Sequence, residues 1–159
     1  MADKDKRIVY QGENGRAVVV IPDPNFLAKG NTLDDVLIKC VPENCRDSAN
    51  VVDVDTVPSD RTFRNAWVTE QGKSVEIDLA KAKDLAKDKV RQARTPKFQE
   101  LDIAYQRADE AGDADAKAAV VTKKQTARDA TANTKITNAD SVDNLKTGME
   151  AVIKEVGDL

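Results

Sequence analysis

All five prolines of this chain (Pro22, Pro24, Pro42, Pro58 and Pro96) lie before residue 97, and alanine becomes dense only after residue 79. Proline fixes φ and removes a backbone donor, whereas alanine is the best helix former, so local structure must change character near residue 78. The whole chain has 159 residues, enough for one ordinary domain or a small domain with an appendage, and too few for two full cores. The expected fold class is therefore α+β. A β-hairpin-rich N-terminal unit over residues 1–78 is followed by an alanine-rich helical region over 79–159.

Within the first part, residues 6–10 and 16–21 are β-rich runs on either side of Asn14-Gly15, a pair that favours a tight turn. Pro22 and Pro24 stop that hairpin, because neither can donate to a strand ladder. Thr32 then caps a helix reaching Lys39, with Leu33, Val36 and Leu37 at i, i+3 and i+4 and Asp34 and Asp35 in the first turn. Residues 50–57 alternate in part and read as an edge strand with one wet face. A short turn or helix from Pro58 to Trp67 precedes a second hairpin over 68–79, turning at Gln71-Gly72.

The second part reads as helices over 79–94, 97–111, 113–130 and 141–156. Leu79, Ala82, Leu85, Ala86, Val90 and Ala93 keep helical spacing until Thr95-Pro96, where the proline predicts an end or a kink. Phe98, Leu101, Tyr105 and Ala108 follow the spacing of a coiled-coil seam. Gly112 breaks the run and Asp113 caps the next helix, so the two middle helices, each about 22 Å long, form an antiparallel hairpin. Val142, Leu145, Met149 and Val152 give the last helix its inner face. Alanine buries little area, so helices this thin call for a partner, either the N-terminal unit or another copy.

The chain has no histidine, which excludes an imidazole base, a histidine-containing zinc or haem site and a histidine pH switch. Nucleophile-elbow, phosphate-loop and dinucleotide-glycine motifs are missing as well, so no enzyme activity, cofactor or metal is expected. The 25 basic and 28 acidic side chains leave a charge of −3, arguing against a surface matched as a whole to nucleic acid or anionic lipid. The longest apolar stretch, residues 17–21, is far short of the roughly 20 residues that span a bilayer. Residues 1–7 are charged with no apolar core behind them, unlike a secretory signal, so synthesis in the cytoplasm is expected.

Four groups of residues remain as candidates. Cys40 and Cys45 are free thiols or a short disulfide loop, and the second reading gains if the chain ends in an extracellular particle. The basic run Lys81, Lys83, Lys87, Lys89, Arg91, Arg94 and Lys97 is either a phosphate-tracking face or a solvated face paired with Asp84 and Asp88. The absence of interleaved aromatics favours the second. The acidic pairs Asp34/Asp35 and Asp53/Asp55 read as solvated surface. Arg61, Phe63, Arg64 and Trp67 fall within eight residues. Phe63 and Trp67 serve there as core anchors, or Arg64 and Trp67 as an interface hot spot. Phe98, Leu101 and Tyr105 are further interface candidates.

The stretch Ser59-Asp-Arg-Thr-Phe-Arg-Asn-Ala-Trp67, followed by a hairpin and then by residues 79–84 and 88–94, resembles a group of small tailed-bacteriophage proteins whose genes usually lie among virion genes. Residues 124–129 with Leu145-Lys146 look like the closing segment of that group and of tail-fibre assembly proteins, where leucine is common at the place held here by Ala127. The resemblance covers roughly residues 6–147. It implies a structural accessory protein of the virion, at the tail, fibre or capsid surface, made in the host cytoplasm and contacting other virion proteins or its own copies. An assembly chaperone absent from the finished particle is the first alternative, and a nucleic-acid-binding module using residues 81–97 is the second. The resemblance assigns no catalytic residue.

Overall fold

The computed structural model describes residues 5–159 and divides the chain into two compact units, Met1–Asp78 and Leu79–Leu159. The first is α+β and the second is helical. In the first, strands β1 (Lys6–Gln11) and β2 (Ala17–Val20) pair antiparallel with Ile8 opposite Val20 and Val9 opposite Val19. Gly15 takes the left-handed conformation in the connecting turn (φ 73°). Strand β3 (Asn50–Asp53) adds to the other side of β1, Arg7 opposite Val52, for a sheet order β2-β1-β3.

Because side chains alternate along a strand, the central β1 serves two cores. Ile8 and Tyr10 pack with Val36, Val41 and Cys45, while Val9 packs with Val52, Trp67 and Val75. Helix α1 (Pro24–Ala28) lies where sequence reasoning placed only a strand stop. Asp23 caps it and Pro24 opens it, a placement that suits proline because its missing N–H is unneeded in the first turn. Helix α2 (Leu33–Cys40) starts with a reciprocal capping box, in which the Asp35 amide donates to Thr32 Oγ1 and the Thr32 amide donates to the Asp35 carboxylate at 2.7 Å.

The strand expected over 50–57 ends at Asp53, and a single 3-10 turn, Val54–Thr56, takes its place because Thr56 bonds its hydroxyl back to the Asp53 carbonyl. Another 3-10 turn, Arg64–Ala66, leads into β4 (Trp67–Val68), which pairs with β5 (Glu76–Ile77). Gln71 and Gly72 turn that hairpin with positive φ. A Cβ on Gly72 would lie 2.4 Å from the Val9 carbonyl oxygen and 2.3 Å from that of Ser48, so the turn rests directly on backbone. The Asn50 side-chain amide donates to the Gln71 carbonyl and holds it there.

In the second unit the sequence-based boundary at Thr95-Pro96 is overturned. Helix α3 runs unbroken from Leu79 to Glu110, 32 residues with Pro96 inside, about 48 Å at 1.5 Å per residue. The helix survives its proline because both sides are anchored: Val90 and Leu101 are buried, and Arg94 and Lys97 bond to other helices. Gly112 (φ 69°) then turns the chain and Asp113 caps α4 (Ala114–Asp129) by accepting from the Ala116 amide.

The expected helical hairpin is present, with one arm twice the length of the other. The short α5 (Thr134–Thr137), unanticipated, buries Ile136 completely. Helix α6 (Val142–Gly157), capped by Ser141, packs along the first half of α3 with Leu145, Met149, Val152 and Val156 buried. Lys83 reaches the end of α5 and Lys97 the end of α6, so α6 runs in the same direction as α3. Ala82 and Ala86, both fully buried, form part of the inner face of α3. Beyond Lys97, α3 is accompanied by α4, through the ion pair Lys124–Asp102 at 2.8 Å and the pair Lys117–Asp109.

Candidate functional site

A concavity of the first unit, about 610 Å³, is built from three separated stretches of chain. Strand β1 supplies Arg7, which shares a sheet face with Val9, and β2 with its exit supplies Val19 and Ile21. The 3-10 turn and the residues after it supply Val54, Asp55, Val57, Pro58, Ser59 and Arg61, and β4 supplies Trp67. The walls mix aliphatic with polar and charged side chains, and Ile21 is 58% exposed. Trp67 is only 1% exposed, and its indole Nε1 is buried without a hydrogen-bond partner. Arg7 donates to the Lys6 carbonyl at 2.7 Å, whereas the exposed Arg61 side chain makes no hydrogen bond or ion pair among the described residues.

Sequence reasoning placed Arg61, Phe63, Arg64 and Trp67 together, and the structure separates them by role. Phe63 and Trp67 are interior residues, each 1% exposed, and Trp67 anchors the cluster of Val9, Val52 and Val75. Arg61 lies on the cavity wall, and Arg64 is exposed outside it. Arg7, Val19 and Val57 had no signal of their own, since only the strand register and the turn after Asp53 bring them beside Trp67.

Phe98, Leu101 and Tyr105 line the α3–α4 hairpin. Leu101 is 5% exposed. Phe98 lies 5.8 Å from each of the Arg94 and Arg128 guanidinium carbons, and Tyr105 sits beneath Lys117 and Lys124 at 5.4 and 4.7 Å. Cations from both helices thus cover these two rings. The disulfide considered for Cys40 and Cys45 is not formed. Cys40 ends α2 exposed, and Cys45 turns into the sheet core from a 3-10 turn (Glu43–Ser48). Burial, with smaller contributions from Cys45 and then Cys40, pushes the Tyr10 hydroxyl above its ordinary pKa.

The basic run of α3 has a use that neither sequence-based reading contained. Lys83 donates to the Thr137 carbonyl at 2.9 Å, Arg94 to those of Ala127 and Arg128 at 3.2 and 2.9 Å, and Lys97 to that of Gly157 at 3.1 Å. These carbonyls belong to the C-terminal ends of α5, α4 and α6, where unpaired acceptors and the helix dipole favour a cation. Lys87 pairs with Asp84 at 3.3 Å and Arg91 with Asp88, as the i,i+3 spacing predicts. The acidic pairs are likewise committed in part, Asp35 to its capping box and Asp53 to Lys6 at 2.8 Å.

Among the described residues no group of three or more cysteines and carboxylates is arranged to hold a metal, and no helix is long and apolar enough to cross a membrane. Comparison with protein-family models, curated proteins and solved structures finds no match for this chain.

Proposed function

We propose that this chain is a structural accessory protein of a tailed-phage virion, at the tail, fibre or capsid surface, working through contacts with other proteins. The observation that supports this reading over a nucleic-acid module is the fate of the α3 cations. Lys83, Arg94 and Lys97 hold the ends of three neighbouring helices, and Lys87 and Arg91 are paired with carboxylates. A face used this way fixes a rigid scaffold and leaves few charges to track a phosphate backbone. The resemblance of residues 59–67 to small phage proteins supplies the setting.

Mass spectrometry of particles purified from cells infected with the phage that encodes this chain tests the proposal. The chain should be found at a fixed stoichiometry to one structural protein and stay through gradient purification. Recovery in a lysate complex but not in the particle would overturn it in favour of an assembly chaperone.

A further inference from the structure

We propose that a second cavity, beside the first hairpin turn, binds an alkylammonium group, with its N–H donors on Tyr10, Glu13 and Asn14 and its aliphatic stem against Val18, Pro42 and Cys45. This goes beyond the virion reading and does not depend on it.

The cavity, about 310 Å³, is of a size that admits small molecules. Tyr10 on β1 and Val18 on β2 are cross-strand partners in the sheet register, so they stand side by side in its wall. Glu13 and Asn14 come from the turn between those strands, and Pro42 and Cys45 from the entry and interior of the 3-10 turn that follows α2.

Tyr10 is 8% exposed, and its hydroxyl makes no hydrogen bond among the described residues. That oxygen is not sealed from solvent as the Trp67 indole nitrogen is. Burial raises its pKa, so at neutral pH the hydroxyl stays uncharged and serves as donor and acceptor alike.

Glu13 is the one charged side chain of the lining, with no lysine or arginine beside it there. Asn44 Nδ2 donates to Glu13 Oε1 at 2.9 Å, which fixes the carboxylate and leaves its second oxygen as an acceptor. Asn14 Oδ1 accepts from the Arg16 amide at 3.1 Å, so this carbonyl is held too, with one lone pair open. A phenol, a positioned carboxylate and a carbonyl next to aliphatic groups and a thiol are what an ammonium on a methylene stem requires. An anion would meet the Glu13 carboxylate with no cation to offset it. A hard divalent cation would need more carboxylates than one, and a purely apolar ligand would leave the Tyr10 hydroxyl unpaired.

The probe is n-butylammonium, titrated into the isotope-labelled full chain at constant ionic strength and followed by amide chemical shifts. The amides of Glu13, Asn14 and Cys45 should move saturably with a Kd of about 1–10 mM, the weak affinity expected of a small ligand on an exposed carboxylate. Glu13→Gln should weaken binding about fivefold or more, and Tyr10→Phe, which keeps the ring in the core, about threefold or more. Glu43→Gln should change nothing, since Glu43 is exposed and does not line the cavity. Tetramethylammonium, a cation without N–H donors, should bind about tenfold more weakly or not at all.

Nα-acetyl-lysine N-methylamide separates the two sources of such a group. Tighter binding than that of n-butylammonium assigns it to a lysine side chain of a partner protein, and weaker binding to a free amine; either result upholds the site. Tetramethylammonium binding as tightly as n-butylammonium would overturn the proposal. So would an unchanged Kd in Glu13→Gln or in Tyr10→Phe, or no saturable shift of these amides at about ten times the expected Kd.

Discussion

Arg94 donates to the carbonyl of Arg128 at 2.9 Å, joining the middle of α3 to the last turn of α4. The same guanidinium reaches the Ala127 carbonyl and stacks near Phe98. Arg94→Met keeps most of the aliphatic stem and removes the donors, so it should cost about 1–3 kcal/mol, the range for hydrogen bonds to a charged group. Thermal unfolding followed at 222 nm checks this, with Arg94→Lys expected between the two.

Pro96 sits inside α3 with its side chain exposed. Interior proline disfavours a helix by about 3 kcal/mol relative to alanine. Pro96→Ala should therefore stabilise the second unit, by up to about that amount and less to the extent that the helix has already relaxed around the ring. A lower midpoint in denaturant would show that the local backbone geometry Pro96 imposes is itself needed for α4 and α6 to close on α3.

Gly148 on α6 faces α5 so closely that a Cβ would lie 2.3 Å from the Lys135 carbonyl oxygen, an atom of the main chain. Gly148→Ala should thus destabilise by about 1–3 kcal/mol, as overpacking does. Gly157, at the end of the same helix, has nothing within 4 Å of an added Cβ. Gly157→Ala should be neutral or stabilise by up to about 1 kcal/mol. The pair of denaturation curves, measured under one condition, separates close packing from helix propensity.

Trp67 fills the second core of the sheet. Trp67→Ala should cost about 3–5 kcal/mol, read as a lowered midpoint in thermal or denaturant unfolding of the full chain. Trp67→Phe should cost less, because it also removes an indole N–H that lacks an acceptor.

The pH dependence should be flat across neutrality. Hydrogen bonds from the Thr32 amide and hydroxyl hold the Asp35 carboxyl below its ordinary pKa, and the Asn144 amide does the same for Asp140. Their contribution is present above about pH 4 and is lost as pH falls through the lowered values. Lys117 is raised by its hydrogen bond to Asp109 and Lys154 by that to Asp158. Those contributions are full below about pH 10 and fade as pH rises, in the same direction as that of buried Tyr10. Asp35→Asn should shallow the acid limb of a plot of thermal midpoint against pH. A step between about pH 6 and 7 would contradict the scheme, since the chain has no histidine.

The division near residue 78, the first hairpin, the Thr32 cap, the Gly112-Asp113 turn and the inner face of α6 were all legible in the order of residues. Each depends on a local rule: proline lacks a donor, glycine admits positive φ, a hydroxyl or carboxylate caps the next few amides, and apolar residues recur with the helical period. Pro96 was misjudged because that local rule met long-range anchors at Arg94, Lys97 and Leu101 that no window around the proline contains.

Tertiary structure alone decided how the charges and the cavity are used. The seven cations of residues 81–97 read as a face along one helix, yet three of them close helices whose ends lie between 33 and 60 positions further on. The cavity likewise unites Arg7, Val19, Arg61 and Trp67, which only strand register and the turn after Asp53 bring together. Local backbone preference acts over a few residues and so can be read from order, whereas a charge finds its partner through space, and that distance exists only once the helices have packed.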